Sequence, residues 1–171
     1  MEHLIKKIEL NDDGIFPNNY LPVLLYRQAL FSPVLFPARH IINLFENNYW
    51  YNTWNGGIFA YHHYSSITHT AIGIYKGKTV LQLGGEKGIQ IIVWKNDVLI
   101  IPAGVAYKNM GRENTVKCVT AHPYGRACDL NYGKAGERPQ TDKNIAAVPI
   151  PSVDPVFGTD KGLPEIWHYC N

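Results

Sequence analysis

Between about residues 50 and 122 the chain repeats one pattern. Short runs rich in Ile, Val, Tyr, Phe and Trp are separated, every ~8–12 residues, by glycine or asparagine turns. Ile58–Tyr64, Ala71–Tyr75, Thr79–Leu83, Ile89–Trp94, Asp97–Ile101 and Thr115–Ala121 read as strands. The breaks are Ser65–Ile67, Lys76-Gly77-Lys78, the hairpin turn Gly84–Gly88, Lys95-Asn96 and Asn109–Asn114. Six closely spaced strands joined by tight turns predict an all-β sandwich or barrel.

The flanks differ. Residues 1–30 mix turn clusters with short extended pieces, and Leu21–Tyr26, which carries Pro22, reads as an edge strand. Apolar Ile41, Ile42, Leu44 and Phe45 predict a short helix between Pro33 and Asn48. After Gly125, frequent proline and glycine exclude a central strand or a long helix. That tail still carries Val148, Ile150, Phe157, Leu163, Ile166 and Trp167, so it is expected to wrap the outside of the barrel. The expected organisation is an N-terminal extension (1–49), a barrel core (50–125) and a C-terminal tail (126–171).

Composition narrows the class. Sixteen Lys and Arg against fourteen Asp and Glu give +2, too small a surplus for a nucleic-acid binder held by phosphate contacts. At 171 residues, folding buries roughly 70% of the unfolded surface, so the core needs neither disulfide nor structural metal. No apolar run approaches the roughly 20 residues of a membrane span, and the start, Met-Glu-His-Leu-Ile-Lys-Lys, lacks the features of a signal peptide. Cys118, Cys128 and Cys170 form no CxxC pair and suit a reducing cytoplasm.

The densest polar cluster is Tyr61-His62-His63-Tyr64-Ser65-Ser66-Ile67-Thr68-His69, which holds three of the seven histidines. Taken alone, it reads either as a metal or catalytic site or as a solvated strand end. The aromatic run Tyr49-Trp50-Tyr51, with Trp54, reads as packing or a dimer face.

Spacing adds a second level. Gly57, His63, Ser65, Thr70 and Gly77, followed by Asn96-Asp97-Val98-Leu99-Ile100-Ile101-Pro102-Ala103-Gly104-Val105-Ala106-Tyr107, resemble the two paired motifs of the cupin superfamily. Asn96 stands where the second motif opens with glycine. Phe16-Pro17-Asn18-Asn19, Trp54-Asn55-Gly56-Gly57, Gly133–Pro139, Ala147–Pro151 and Asp154–Gly158 look like the YjlB-like branch of small bacterial cupins. The resemblance covers about residues 13–167. It implies an RmlC-like jelly roll, a double-stranded β-helix, in a cytoplasmic protein without an assigned reaction.

The departures decide the chemistry expected. Four side chains face one ion in metal-binding cupins, and those positions here hold His63, Ser65, Thr70 and Tyr107. A divalent ion on one imidazole, with hydroxyls in place of the carboxylate and the other histidines, leaves its charge uncompensated, so the metal site is expected to be degenerate and no cofactor is expected. Strand alternation turns His63, Ser65, Thr70, Ile72 and Ile74 inward and His62, Tyr64 and His69 outward, with His122 as the one alternative partner for His63. The predicted site is a polar pocket of Tyr61, His63, Ser65, Thr70 and Tyr107 that binds a small polar molecule. The alternative is a metal-free or weakly metal-dependent isomerase- or epimerase-like enzyme acting on a carbohydrate or carboxylate through His63 and Tyr107. Neither nucleic acid nor membrane is an expected partner. The resemblance implies a homodimer.

Overall fold

In the computed structural model, which describes residues 4–112 and 114–170, the strand-rich stretch forms antiparallel pairings around one long central strand. The elements are β1 (Ile5–Leu10), β2 (Asn19–Tyr26), α1 (Pro37–Asn47), β3 (Trp50–Gly56), β4 (Thr70–Leu83), β5 (Ile89–Trp94), β6 (Val98–Ile101), β7 (Tyr107–Asn109), β8 (Val116–Pro123), α2 (Gln140–Ala146) and α3 (Leu163–His168). Strands β1-β2-β6-β4-β8-β3 lie side by side in that order, and β5 and β7 pair with β4. The result is the expected all-β jelly roll, although the pairing does not run full circle.

Two of the expected strands, Ala71–Tyr75 and Thr79–Leu83, are halves of β4. Lys76-Gly77-Lys78 bends the strand instead of ending it. The register shifts between Ile74 and Lys76, and Gly77 takes φ +80°, a conformation open to glycine at little cost. Before the bend β4 pairs with β6 and β8; beyond it, β4 pairs with β5 and β7. One strand therefore serves both walls of the barrel.

Strand alternation sorts the apolar residues into two cores. Val23 and Leu25 of β2, Ile72 and Ile74 of β4, Leu99 and Ile101 of β6, and Val116 and Cys118 of β8 fill the barrel interior. Their alternates Leu24, Tyr26, Ala71, Val98, Ile100, Val119 and Ala121 form a second core outside, with Ile41, Phe45, Trp50, Leu163 and Trp167. Helix α1 closes part of this outer core through Ile41 and Phe45, one turn apart. Gly73 permits the approach, because a Cβ there would lie 2.8 Å from Ile41 Cγ2.

Two expectations need correction, and a third resolves to one of its alternatives. Leu21–Tyr26 is not an edge strand: β2 lies between β1 and β6 and is buried on both faces. Pro22 is tolerated because it falls in the irregular stretch between the Asn19 and Val23 pairings with β1, before β6 pairing begins at Leu24. Ile58–Tyr64 is not a strand. Residues 57–69 connect β3 to β4 without a ladder; isolated bridges pair His63 with Tyr107 and Tyr64 with Asn131, and the Phe59 and Ser65 carbonyls accept from Asn109 and Gly104. Of the two readings of Trp50, packing holds: it is 1% exposed and donates Nε1–H to the Val153 carbonyl at 2.9 Å.

The tail is anchored by side chains at both of its ends. Trp167 of α3 is fully buried and donates Nε1–H to the Pro22 carbonyl at 3.0 Å. Glu137 accepts the backbone N–H groups of Tyr132 and Gly133, and Arg138 bridges Asp12 and Asp142. Among the described residues no helix is long and apolar enough to cross a membrane.

Candidate functional site

A cleft of about 350 Å³ opens beside the barrel core. Its walls come from β3 (Asn52, Trp54), the 57–69 connection (Phe59, His63), the start of β4 (Thr70, Ile72), β7 (Tyr107), β8 (Thr120, His122) and the tail (Cys128, Asp129, Leu130). Its polar groups therefore come from widely separated parts of the chain.

His63 and Tyr107 form the centre. Their backbones exchange hydrogen bonds of 3.2 and 3.1 Å, and their ring centroids lie 4.2 Å apart. His63 Nδ1 donates to the Tyr61 carbonyl at 3.0 Å, which leaves Nε2 as the acceptor. Burial holds the imidazole below its ordinary pKa, with the Tyr61 carbonyl opposing the shift, so the ring is neutral near pH 7. Burial likewise pushes the Tyr107 phenol well above its ordinary value. The Tyr107 hydroxyl forms no hydrogen bond among the described residues, and the residue is 8% exposed.

Thr70 lines the same cleft, with Oγ1 3.5 Å from His122 Nδ1. Ser65 and Tyr61 sit elsewhere. Ser65 Oγ donates to Asp129 Oδ1 at 2.8 Å, behind the cleft wall. Tyr61 stands 46% exposed, its ring stacked on Phe59 at 5.0 Å and 11°. Ile74 lies deeper, in the barrel core. Alternation was expected to turn Ser65 inward, but it governs strands, and this segment is not one.

His122, Cys128 and Asp129 are among the cleft residues outside the predicted set. His122 shares the inward parity of Val116, Cys118 and Thr120 on β8, a signal present in the strand pattern. Its Nδ1 donates to the His69 carbonyl at 3.0 Å, and burial lowers its pKa. Cys128 and Asp129 come from the tail, and no local pattern announces them. Asp129 accepts hydrogen bonds from Ser65 Oγ, Ser66 N (2.7 Å), Ser66 Oγ (2.5 Å) and Asn131 Nδ2 (2.8 Å). Burial pushes its pKa up, but these bonds outweigh burial and hold it below the usual carboxylate range.

The neighbouring histidines are not surface ligands. His69 does point away from the barrel interior, but into the outer core, where it is 1% exposed against Trp167. His62 pairs with Glu86 at 2.8 Å. Tyr64 is buried against Phe16 and donates its hydroxyl to Glu137 at 3.1 Å.

No protein-family model matches the chain. The uncharacterized protein YjlB of Bacillus subtilis (strain 168) is 36% identical over 157 residues, covering 91% of this chain and 92% of that protein. Among solved structures, an acireductone dioxygenase from Bacillus anthracis overlaps with a TM-score of 0.40 at 9% identity, over 55% of this chain and 63% of that one, less than two thirds of its length. The epimerase RmlC from Legionella pneumophila overlaps with a TM-score of 0.36 at 11% identity, over 72% of this chain and 73% of that one. Overlaps this loose carry no chemistry from those two proteins to this one.

Proposed function

The chain belongs to the YjlB-like branch of the cupin superfamily, and from that premise we propose that it binds a small polar molecule in the cleft, through His63, Thr70, Tyr107 and His122, without a metal ion. One observation carries this reading: Tyr107, 8% exposed, lines the cleft, and its hydroxyl has no hydrogen-bond partner among the described residues. A hydroxyl that reaches the cleft without a protein partner is free to donate to or accept from a bound molecule.

The donor chemistry supports loss of the metal centre. Of the four motif positions only His63 offers a good ligand atom. Ser65 Oγ is committed to Asp129, Thr70 is a neutral hydroxyl, and the raised pKa of Tyr107 keeps its phenolate out of reach near neutral pH. Asp129 already accepts four hydrogen bonds. This set does not fit a divalent ion.

The ring contact of His63 with Tyr107 favours a catalytic version of the same site as the second reading. A neutral imidazole beside a protonated phenol is an acid–base pair able to move a proton on a bound substrate. Chemical-shift mapping with a library of small polar compounds tests both readings. Binders should perturb Tyr107 and His63, and Tyr107→Phe should weaken them about tenfold, roughly 1.4 kcal/mol. Binders that map elsewhere, or that ignore Tyr107→Phe, would sink the proposal. Loss of turnover in His63→Ala with only modestly weakened binding would select the enzyme. Stoichiometric metal in protein purified without a histidine tag would overturn the metal-free part.

The same proposal includes a homodimer in the cytoplasm. Three free cysteines support a reducing compartment, and the family resemblance supports pairing. Light scattering at micromolar concentration should give twice the chain mass; a monomer would contradict it.

A further inference from the structure

Resting on the reading of the cleft as a binding site, we propose that it takes an uncharged, hydroxyl-rich molecule of monosaccharide size and rejects carboxylates and phosphates. The cleft's charge is the first argument. Among the described residues no lysine or arginine lines it, and the one ionised group there is Asp129. An anion would meet a like charge with no cation to offset it. A cation fares little better, because four hydrogen bonds already occupy the Asp129 oxygens, about the capacity of a carboxylate.

Hydrogen-bond polarity is the second argument. His63 and His122 each spend Nδ1–H on a backbone carbonyl, so each neutral ring has only an acceptor left. The hydroxyls of Tyr107, Thr70 and Thr120 donate or accept. Such a set matches ligand hydroxyls, which donate to the imidazoles and accept from Tyr107. A carboxylate or phosphate brings only lone pairs to these rings.

The rim is the third. Trp54 and Phe59 line the cleft with their rings 6.2 Å apart, and outside it Phe59 stacks on Tyr61 at 5.0 Å and Tyr61 meets Tyr132 at 5.8 Å, each residue between 39% and 49% exposed. Aromatic faces carry negative quadrupole density, which attracts the C–H face of a sugar ring and repels anions. The volume, about 350 Å³, lies at the small end of the roughly 300–1,000 Å³ of ligand pockets. That suits a single sugar ring better than a nucleotide-linked one.

The test is ligand-observed NMR and calorimetry on the full chain with D-glucose, D-galactose and D-mannose, each against its uronic acid and 6-phosphate, and with D-glucosamine. At least one neutral hexose should bind, its uronic acid at least tenfold more weakly, and Asp129→Asn should narrow that gap. Should Asp129→Asn misfold, Phe59→Ala at the exposed rim is the second variant, and it should weaken the hexose several-fold. A uronate, phosphate or glucosamine that binds as tightly as the neutral sugar, and is lost in Tyr107→Phe, overturns this inference while leaving the binding reading intact. No binding by any probe, charged or neutral, counts against both.

Discussion

His69 Nδ1 accepts the backbone N–H of Ala103 at 3.0 Å, so a histidine from the polar run Tyr61–His69 fastens the turn that leads into β7 and Tyr107. For this bond Nδ1 must stay unprotonated. Burial against Trp167 lowers its pKa to about 4, with the Pro149 carbonyl opposing the shift. The folded value lies below the ordinary ~6.5, so the stabilisation is complete above pH 6.5 and is lost as pH falls toward 4. The full loss is on the order of 3 kcal/mol. His69→Asn keeps an acceptor near Ala103 but cannot titrate. Urea midpoints measured from pH 7 to 4.5 should fall steeply for the wild type and less for this variant. Parallel curves would remove His69 as the cause.

Tyr26 donates its hydroxyl to Asp154 Oδ2 at 2.5 Å, both residues fully buried, which ties β2 to the tail. Asp154 also accepts the backbone N–H groups of Val156, Phe157 and Leu163, at 2.7, 2.9 and 2.9 Å. Burial pushes both acids up, so Tyr26 keeps its proton and donates. Tyr26→Phe should cost about 2 kcal/mol and lower the melting temperature by roughly 4–8 °C. Asp154→Ala should cost more, since three amides, that of Leu163 buried, lose their acceptor. Equal melting of Tyr26→Phe and wild type would show that the bond adds nothing net.

The strands were legible in the sequence wherever alternation is a local property. β5 matches the expected Ile89–Trp94, and β6 and β8 agree to within two residues at either end. Alternation also places Thr70 and Ile72 toward the cleft and offered His122, two residues beyond Thr120 on the same face of β8. It misleads at Ser65, because residues 57–69 hold their conformation through isolated bridges and scattered hydrogen bonds, such as Gly104 N–H to the Ser65 carbonyl, instead of a ladder. Asp129 and Cys128 were illegible because their placement depends on contacts with Ser65 and Ser66, more than sixty residues away. The burial of His69 was hidden for the same reason: its cover, Trp167, arrives from the far end of the chain.

Gly77 is where β4 crosses from one wall to the other, and it tolerates no side chain. An added Cβ would lie 2.0 Å from the Thr115 backbone oxygen, at φ +80°. Gly77→Ala combines left-handed strain of about 1–2 kcal/mol with that clash. Its melting temperature should fall by at least roughly 5 °C. Gly136→Ala, at φ +92° with nothing within 4 Å of the added Cβ, carries the strain alone and serves as the control. If the two variants melt alike, the bend relaxes around the methyl group and the crossing is not fixed there.

Three thiols in different surroundings give a direct probe of the cleft. Cys118 is fully buried in the barrel core, and burial pushes its pKa up to about 12. Cys128 is exposed and lines the cleft; burial raises its thiol as well, without enclosing it. Cys170 is exposed in the tail, just beyond α3. The thiolate is the reactive form, so iodoacetamide should modify Cys128 and Cys170, spare Cys118 in the native state, and react faster with Cys128 as pH rises. A molecule seated against His63 and Tyr107 covers Cys128 and leaves Cys170 open. Peptide mass mapping should therefore show several-fold slower labelling of Cys128 alone when a binder is present. Equal slowing at both sites would point to a global effect, and unchanged labelling of Cys128 under saturating binder would place that molecule outside the cleft.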